Sequence, residues 1–365
     1  MPEASWRRPT VSVLVPAYNA SGTLRETLAS VMRQTFGDFE VIVVDDGSSD
    51  STSAVAAEFA ASDPRFQIIQ QKNGGVAAAR NTALAASCAE LIAPLDADDL
   101  WHPEKLARQV ERWRTARLGT VLVYSWSVDI DQASQVLSRR LDLEFFEGDV
   151  YGALVLTNFL GNASVPLIAR DALLAIQGWD TSLRAQSAQG CEDWQLYLRL
   201  AELGDFALAP GFLVGYRQSQ GSMSRSIDEM SRSYELIMGE ARARHPELPA
   251  ALFRWSRGAY DLYRFETLCG LGATLRSVAS LVTGVTRDLS WLMRRSTRKK
   301  VKRVLNALLV SRSNAAPAAA LEHFDTASAD PSYQVSEGPR SEARRRFVAP
   351  IKIRRGRQVH GKRTE

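Results

Sequence analysis

Leu91-Ile92-Ala93-Pro94-Leu95-Asp96-Ala97-Asp98-Asp99 decides the reading of this 365-residue chain. Five apolar residues stop abruptly at three carboxylates in four positions. A short apolar run closed by turn-forming residues reads as a buried strand. Pro103, with no N–H to lose, then opens a helix. Upstream the same alternation repeats. Val11 to Val15 is a β-branched run ended by Pro16, and Leu24, Leu28 and Val31 recur at helical spacing. Glu40 to Val44 forms a second strand, Thr52 to Ala61 a helix, Phe66 to Gln70 a third strand, and Val76 to Ala86 a helix after Asn73-Gly74-Gly75. Strands alternating with helices predict an α/β fold whose sheet is doubly wound, mixed and mostly parallel, with ligands at the carboxyl ends of the strands.

Downstream the pattern changes. Thr120 to Val128 reads as another strand, Asn158 to Ala169 as a mixed stretch, Gln177 to Gln189 as a loop and Glu192 to Leu203 as a helix. The expected organisation is a domain over 9–224, a helical extension over 225–312 and a disordered basic tail over 313–365, rich in Ala, Pro, Ser and Arg. The net charge of +4 hides an asymmetry, because residues 291–365 hold 18 Lys/Arg against 6 Asp/Glu and the remainder is acidic. Seven Lys/Arg lie between Arg294 and Arg303, ahead of an apolar stripe at Val301, Val304, Leu305, Leu308 and Leu309. Such a helix over 291–310 either lies on an anionic bilayer or packs on the body through the same stripe. Nucleic acid is not an expected partner, since the basic clusters lack aromatic interleaving and a recognisable module.

With 45% hydrophobic and 24% charged residues the composition is that of a globular protein. No apolar run reaches the ~18 residues of a membrane span, and no secretory leader is expected at the N-terminus. Cys88, Cys191 and Cys269 are odd in number and scattered, which fits a reducing cytoplasm better than a disulfide framework. The expected location is cytoplasmic, peripheral at the inner face of the cell membrane if the basic helix binds lipid.

Carboxylates two apart at a strand end can converge on a divalent cation, a hard ion that prefers oxygen ligands. An acidic turn that merely precedes a helix would look the same. Asp45-Asp46-Gly47-Ser48-Ser49-Asp50, at the end of the second strand, offers a carboxylate to a base N–H and a helix cap at Ser49 or Asp50. Four segments in order then resemble the family 2 glycosyltransferases: Val15-Pro16-Ala17-Tyr18-Asn19, Val44 to Asp50, Asn73 to Asn81, and Leu95 to Asp99. The resemblance covers about residues 9 to 217 and implies the GT-A fold and inverting transfer from a nucleoside-diphosphate sugar, often a UDP-sugar. It also implies a divalent metal, Mn2+ or Mg2+, and an acceptor hydroxyl on a glycan or glycolipid, as in surface polysaccharide synthesis.

Carried over residue by residue, the resemblance puts Pro16, Tyr18 and Asn19 against the nucleotide and Asp46 on the base. Arg80, Asn81 and Asp96 fall in the donor pocket, Asp96 and Asp98 at the metal, and Asp193 of Glu192-Asp193 at the catalytic base. Asp99 and Glu192 are further candidates beside these, Trp179 as a stacking surface for a sugar and Arg217 as a phosphate contact. One departure stands out. Many members carry a His shortly after a Tyr-Arg pair, whereas here Tyr216-Arg217-Gln218-Ser219-Gln220 has none, and His102, His245, His323 and His360 show no metal-ligand spacing. A nucleotidyltransferase would need a Gly-rich basic loop after the first strand, and a dinucleotide oxidoreductase a GxGxxG there. Pro16-Ala17-Tyr18-Asn19 supplies neither. A catalytically inactive GT-A protein serving as a carbohydrate-binding or scaffold module is the remaining alternative.

Overall fold

The computed structural model describes residues 8–138, 145–218, 226–270 and 274–287, together with His323, Phe324 and Ile353. The expected basic helix over 291–310, Ser219 and most of the tail lie outside the described residues.

The opening strand β1 (Val11–Ala17) is buried at every position, as a β-branched run covered on both faces must be. It pairs in parallel with β2 (Phe39–Asp45) on one side and β4 (Leu91–Pro94) on the other, and β2 pairs in parallel with β3 (Phe66–Gln70). The connecting helices are α1 (Leu24–Met32), α2 (Thr52–Ser62) and α3 (Val76–Ala86), the last two within a residue of the sequence expectation. Ser51 occupies the N-cap position of α2 without a side-chain hydrogen bond, while the Asp50 carboxylate accepts the Thr52 N–H at 3.0 Å. Helix α4 (Lys105–Thr115) starts two residues beyond Pro103.

Short strands complete the sheet. β5 (Leu100–Trp101), β7 (Val136–Ser138) and β8 (Leu167–Ala169) are two or three residues long, and β6 (Thr120–Ile130) and β9 (Asp205–Arg217) are long. The order is β3-β2-β1-β4-β8-β6-β9-β5, with β7 beside β6. The β8 pairings and those of β5 and β7 are antiparallel, whereas β6 and β9 run parallel. The winding direction reverses between β1 and β4, so a crevice opens between their carboxyl ends. Tyr18 and Asp96 stand on its two sides.

The second half adds α5 (Tyr151–Leu156), α6 (Arg170–Ala175), α7 (Ser182–Ala185) and α8 (Glu192–Ala201). Then come α9 (Ile227–Arg244), α10 (Ala250–Gly270) and α11 (Thr274–Arg287). Tyr234, Ile237 and Met238 of α9 and Leu252 and Tyr260 of α10 belong to the same apolar core as β1 and β2. The described tail residues also dock on the body. Phe324 is 1% exposed, donates its N–H to the Ser134 carbonyl at 2.9 Å, and lays its ring over Gly215, where an added Cβ would come within 3.1 Å of it.

Candidate active site

Asp96 to Asp99 leave β4 and immediately diverge. Asp96 faces the cleft and pairs with Arg80 of α3, and its N–H is accepted by Ser164 Oγ at 3.0 Å. Asp98 also lines the cleft, and burial, followed by the charge of Asp96, pushes its carboxyl up to about 6. Asp99 turns inward. It is fully buried, takes the Ser164 hydroxyl at 2.6 Å and the Arg217 N–H at 2.9 Å, and burial pushes its pKa well up. The expected sharing of the metal role by Asp99 therefore meets a side chain already enclosed on the other side of the turn.

Arg217 departs from expectation in the same way. Its guanidinium donates to the carbonyls of Asp98, Asp131 and Gln132, to Glu26 of α1 and to Ser134 Oγ, at 2.7 to 3.1 Å. All five N–H groups are used, which leaves none for a phosphate. Its work is to hold the backbone of Asp98. Asn81 and Trp179 are likewise structural. The Asn81 carboxamide is clamped on the Trp179 N–H and C=O at 2.9 and 2.8 Å, and the Trp179 ring is 2% exposed, buried rather than open to a sugar.

On the other side of the crevice, Asp46 is nearly enclosed. One carboxylate oxygen accepts Gln71 Nε2 at 2.7 Å and the Gly74 N–H at 2.8 Å, and the other accepts the Gly75 N–H at 2.7 Å. Asp46 thus shapes the loop that enters α3, and it still borders the cleft. Gly75 has φ +89, and a Cβ there would lie 2.8 Å from Arg184, so the loop needs a glycine. Arg184, from α7, reaches across to Asn73 Oδ1 at 2.7 Å and lines the cleft. Nothing in its local sequence marks it, because it enters through long-range packing. Pro16, Tyr18 and Asn19 form the β1 side, with Tyr18 55% exposed. Asn19, at φ 48, accepts the Ser49 N–H at 2.9 Å.

Asp193 opens α8 on the same cleft, within 3.5 Å of Asn158 Nδ2. A helix N-terminus favours the charged carboxylate. Burial opposes this and wins, holding the carboxyl up at about 7, where it is poised to exchange a proton near neutrality. Its neighbour Glu192 folds back on the Gly190 N–H at 2.7 Å, a local cap. Arg80 lies between the two acidic groups. Burial works against its charge, but Asp96, then Asp193 and Glu192, hold its pKa above the ordinary arginine value.

Asp96 and Asp98 bring negative charge to the cleft, offset by Arg80 beside Asp96 and by Arg217 beside Asp98. No group of three or more acidic, His or Cys side chains is arranged around one point among the described residues. Asp96 and Asp98 would therefore hold an ion together with non-protein oxygens.

Residues 12–164 match the family model described as glycosyl transferase family 2. Over that stretch the chain is similar to glycosyl transferase family 2. Among curated proteins it is 30% identical over 200 residues to a chondroitin synthase of Escherichia coli, covering 55% of this chain and 28% of that protein. It is 42% identical over 101 residues to the UDP-Glc:alpha-D-GlcNAc-diphosphoundecaprenol beta-1,3-glucosyltransferase WfgD of Escherichia coli, covering 27% of this chain and 39% of that protein. The chain thus spans well under half the length of these relatives. A mannosyltransferase from Pyrobaculum calidifontis, solved with GDP-Man and Mn2+, shares the fold at a TM-score of 0.55 and 20% identity, over 83% of this chain and 86% of that one. The sheet is the GT-A type of α/β fold. The elements outside 12–164, from α6 to α11, still contribute Arg184, Asp193 and the far wall of the cleft.

Proposed function

We propose that the chain is an inverting glycosyltransferase that moves a sugar from a nucleoside-diphosphate sugar, a UDP-sugar by preference, to a hydroxyl of a glycan or glycolipid. The observation that carries this reading is Asp193: a carboxyl held near pKa 7 on the same cleft as Asp96 and Asp98, with Arg80 between them. In this reading Tyr18 and Pro16 flank the base, Asp46 accepts its N–H, and Arg184 with Arg80 draws the diphosphate. Asp193 takes the proton from the acceptor hydroxyl as that oxygen attacks the anomeric carbon from the face opposite the diphosphate. The anomeric C–O bond breaks and its electron pair leaves with the diphosphate. A divalent ion at Asp96 and Asp98 supplies positive charge to the leaving group when bound. Mn2+ in the mannosyltransferase and the polysaccharide and lipid-linked products named for relatives support this assignment.

Asp193→Asn should lower kcat about 100- to 10,000-fold, the range for a lost general base, while calorimetry shows UDP bound as before. Retained turnover would sink the assignment. A wild-type chain without divalent-dependent UDP binding would instead favour an inactive carbohydrate-binding module.

Among the described residues, no helix is long and apolar enough to cross a membrane. We assign peripheral contact with an anionic bilayer to the basic segment 291–310, on its composition alone. Co-sedimentation with phosphatidylglycerol vesicles at low salt, lost at high salt, checks that assignment.

A further inference from the structure

The cleft measures about 1310 Å³, whereas a single small-molecule ligand is usually enclosed by ~300–1,000 Å³. The groups assigned to the donor account for only part of its lining. Helix α10 also lines it, with Ala259, Tyr260, Tyr263 and Thr267. None of these residues lies within the segment that matches the family.

The wall packs on α9, and it is tied to the loop that leads to Asp193. Tyr260 stacks on Tyr234 with centroids 4.1 Å apart and planes 8° from parallel, and it is almost fully buried. Tyr263, one position of the next turn along, is half-buried and borders the cavity. Its hydroxyl reaches Met230 Sδ at 3.3 Å. Met230 in turn packs onto Gly190, where a Cβ would lie 2.7 Å from its side chain, and its carbonyl accepts the Cys191 thiol at 3.8 Å. Gly190 and Cys191 lead directly into Asp193. The Tyr263 ring is therefore held in register with the catalytic carboxyl through Met230.

We infer that α10 forms a subsite for a pyranose ring of the acceptor, with Tyr263 as its stacking surface. A pyranose offers an apolar C–H face rimmed by hydroxyls, and a tyrosine ring offers an apolar face with a polar tip. Asn158, Gln189 and Thr267, which also border the cavity, supply donors and acceptors for the rim. The inference rests on the transferase reading for the word acceptor, but the sugar site itself can be tested without a donor.

The probes are the methyl pyranosides of glucose, galactose, mannose, N-acetylglucosamine and glucuronic acid, followed by saturation-transfer NMR on the full chain. At least one should bind, with saturation strongest on its C–H face. Its affinity should fall about three- to tenfold in Tyr263→Ala, the size of one lost aromatic contact, and stay near wild type in Tyr263→Phe. Thermal melting and UDP titration of each variant report whether the fold and the donor site are intact. If Tyr263→Ala is unstable, Tyr263→Leu takes its place. Binding of no pyranoside, or wild-type affinity retained in the alanine or leucine variant, overturns the subsite. Failure of the wild type to bind UDP overturns the transferase reading and leaves the pyranoside result to be judged by itself.

Discussion

A guanidinium has five N–H donors, and at Arg217 each of them ends on the protein, with the Asp98 carbonyl among the acceptors. Removing such a buried, fully used cation leaves Glu26 and three carbonyls to find water. Arg217→Met should destabilise the fold by about 3 kcal/mol, in the range for breaking a buried charged network, as read from urea unfolding. Because the Asp98 backbone loosens as well, UDP affinity should fall with it. Asp193 sets the pH behaviour. Its carboxyl is raised to about 7 from the ordinary value near 4, so only above about 7 is it mostly free to accept a proton. The rate kcat/KM should climb with pH through about 7 and then level off. The stability carries the opposite sign: the folded state keeps a proton that the unfolded chain has shed, so stability falls from about pH 4 to 7. Asp193→Asn should reduce that slope in melts taken across pH, leaving the part of the same sign that Asp98 and Asp99 contribute. Residue identities such as Asp96 and Asp98 were legible from a strand end followed by acids. Which way each side chain turns was not, because Asp99, Asn81 and Trp179 are placed by Ser164, by the Trp179 backbone and by the core, all distant in sequence.

At the scale of elements, periodicity performed best where an element answers to its own residues. Helix α3 spans Val76–Ala86 as its alternation of small and apolar residues indicates, and β1 to β4 fall close to their β-branched runs. Strands β5, β7 and β8 were not legible. Two or three residues carry no period, and they are strands only because β9, β6 and β4 lie beside them. The loop into α3 shows how an element end becomes part of a site. Gly75 keeps φ +89, under Arg184, so that its N–H reaches Asp46. Gly75→Ala places a side chain in a left-handed conformation and against Arg184, at a cost of about 1–3 kcal/mol. The expected outcome is weaker UDP binding, measured by calorimetry, with far-UV circular dichroism unchanged.

For the whole molecule, the expected division near 224 does not coincide with an edge of the core. Tyr234, Ile237 and Tyr260 are buried in the same cluster as the central strands, and the far wall of the cleft belongs to α10. A chain cut after residue 224 should therefore expose this apolar surface and aggregate or melt well below the full chain, as light scattering during a thermal ramp would show. Charge asymmetry did reveal that the tail differs from the body, but not that Phe324 returns to it, since a single aromatic in a polar stretch carries no pattern. Phe324 closes over Gly215 and the Ser134 carbonyl, and Ser134 in turn touches the Glu26–Arg217 pair beneath Asp98. This contact has a consequence for the order in which the protein is made. A ribosome adding ~5–20 residues per second completes β9 several seconds before Phe324 emerges. For that interval the described strands have all been synthesised while the Ser134 carbonyl lacks the Phe324 N–H, so the contact backing the Glu26–Arg217 pair is completed only when the tail has been translated.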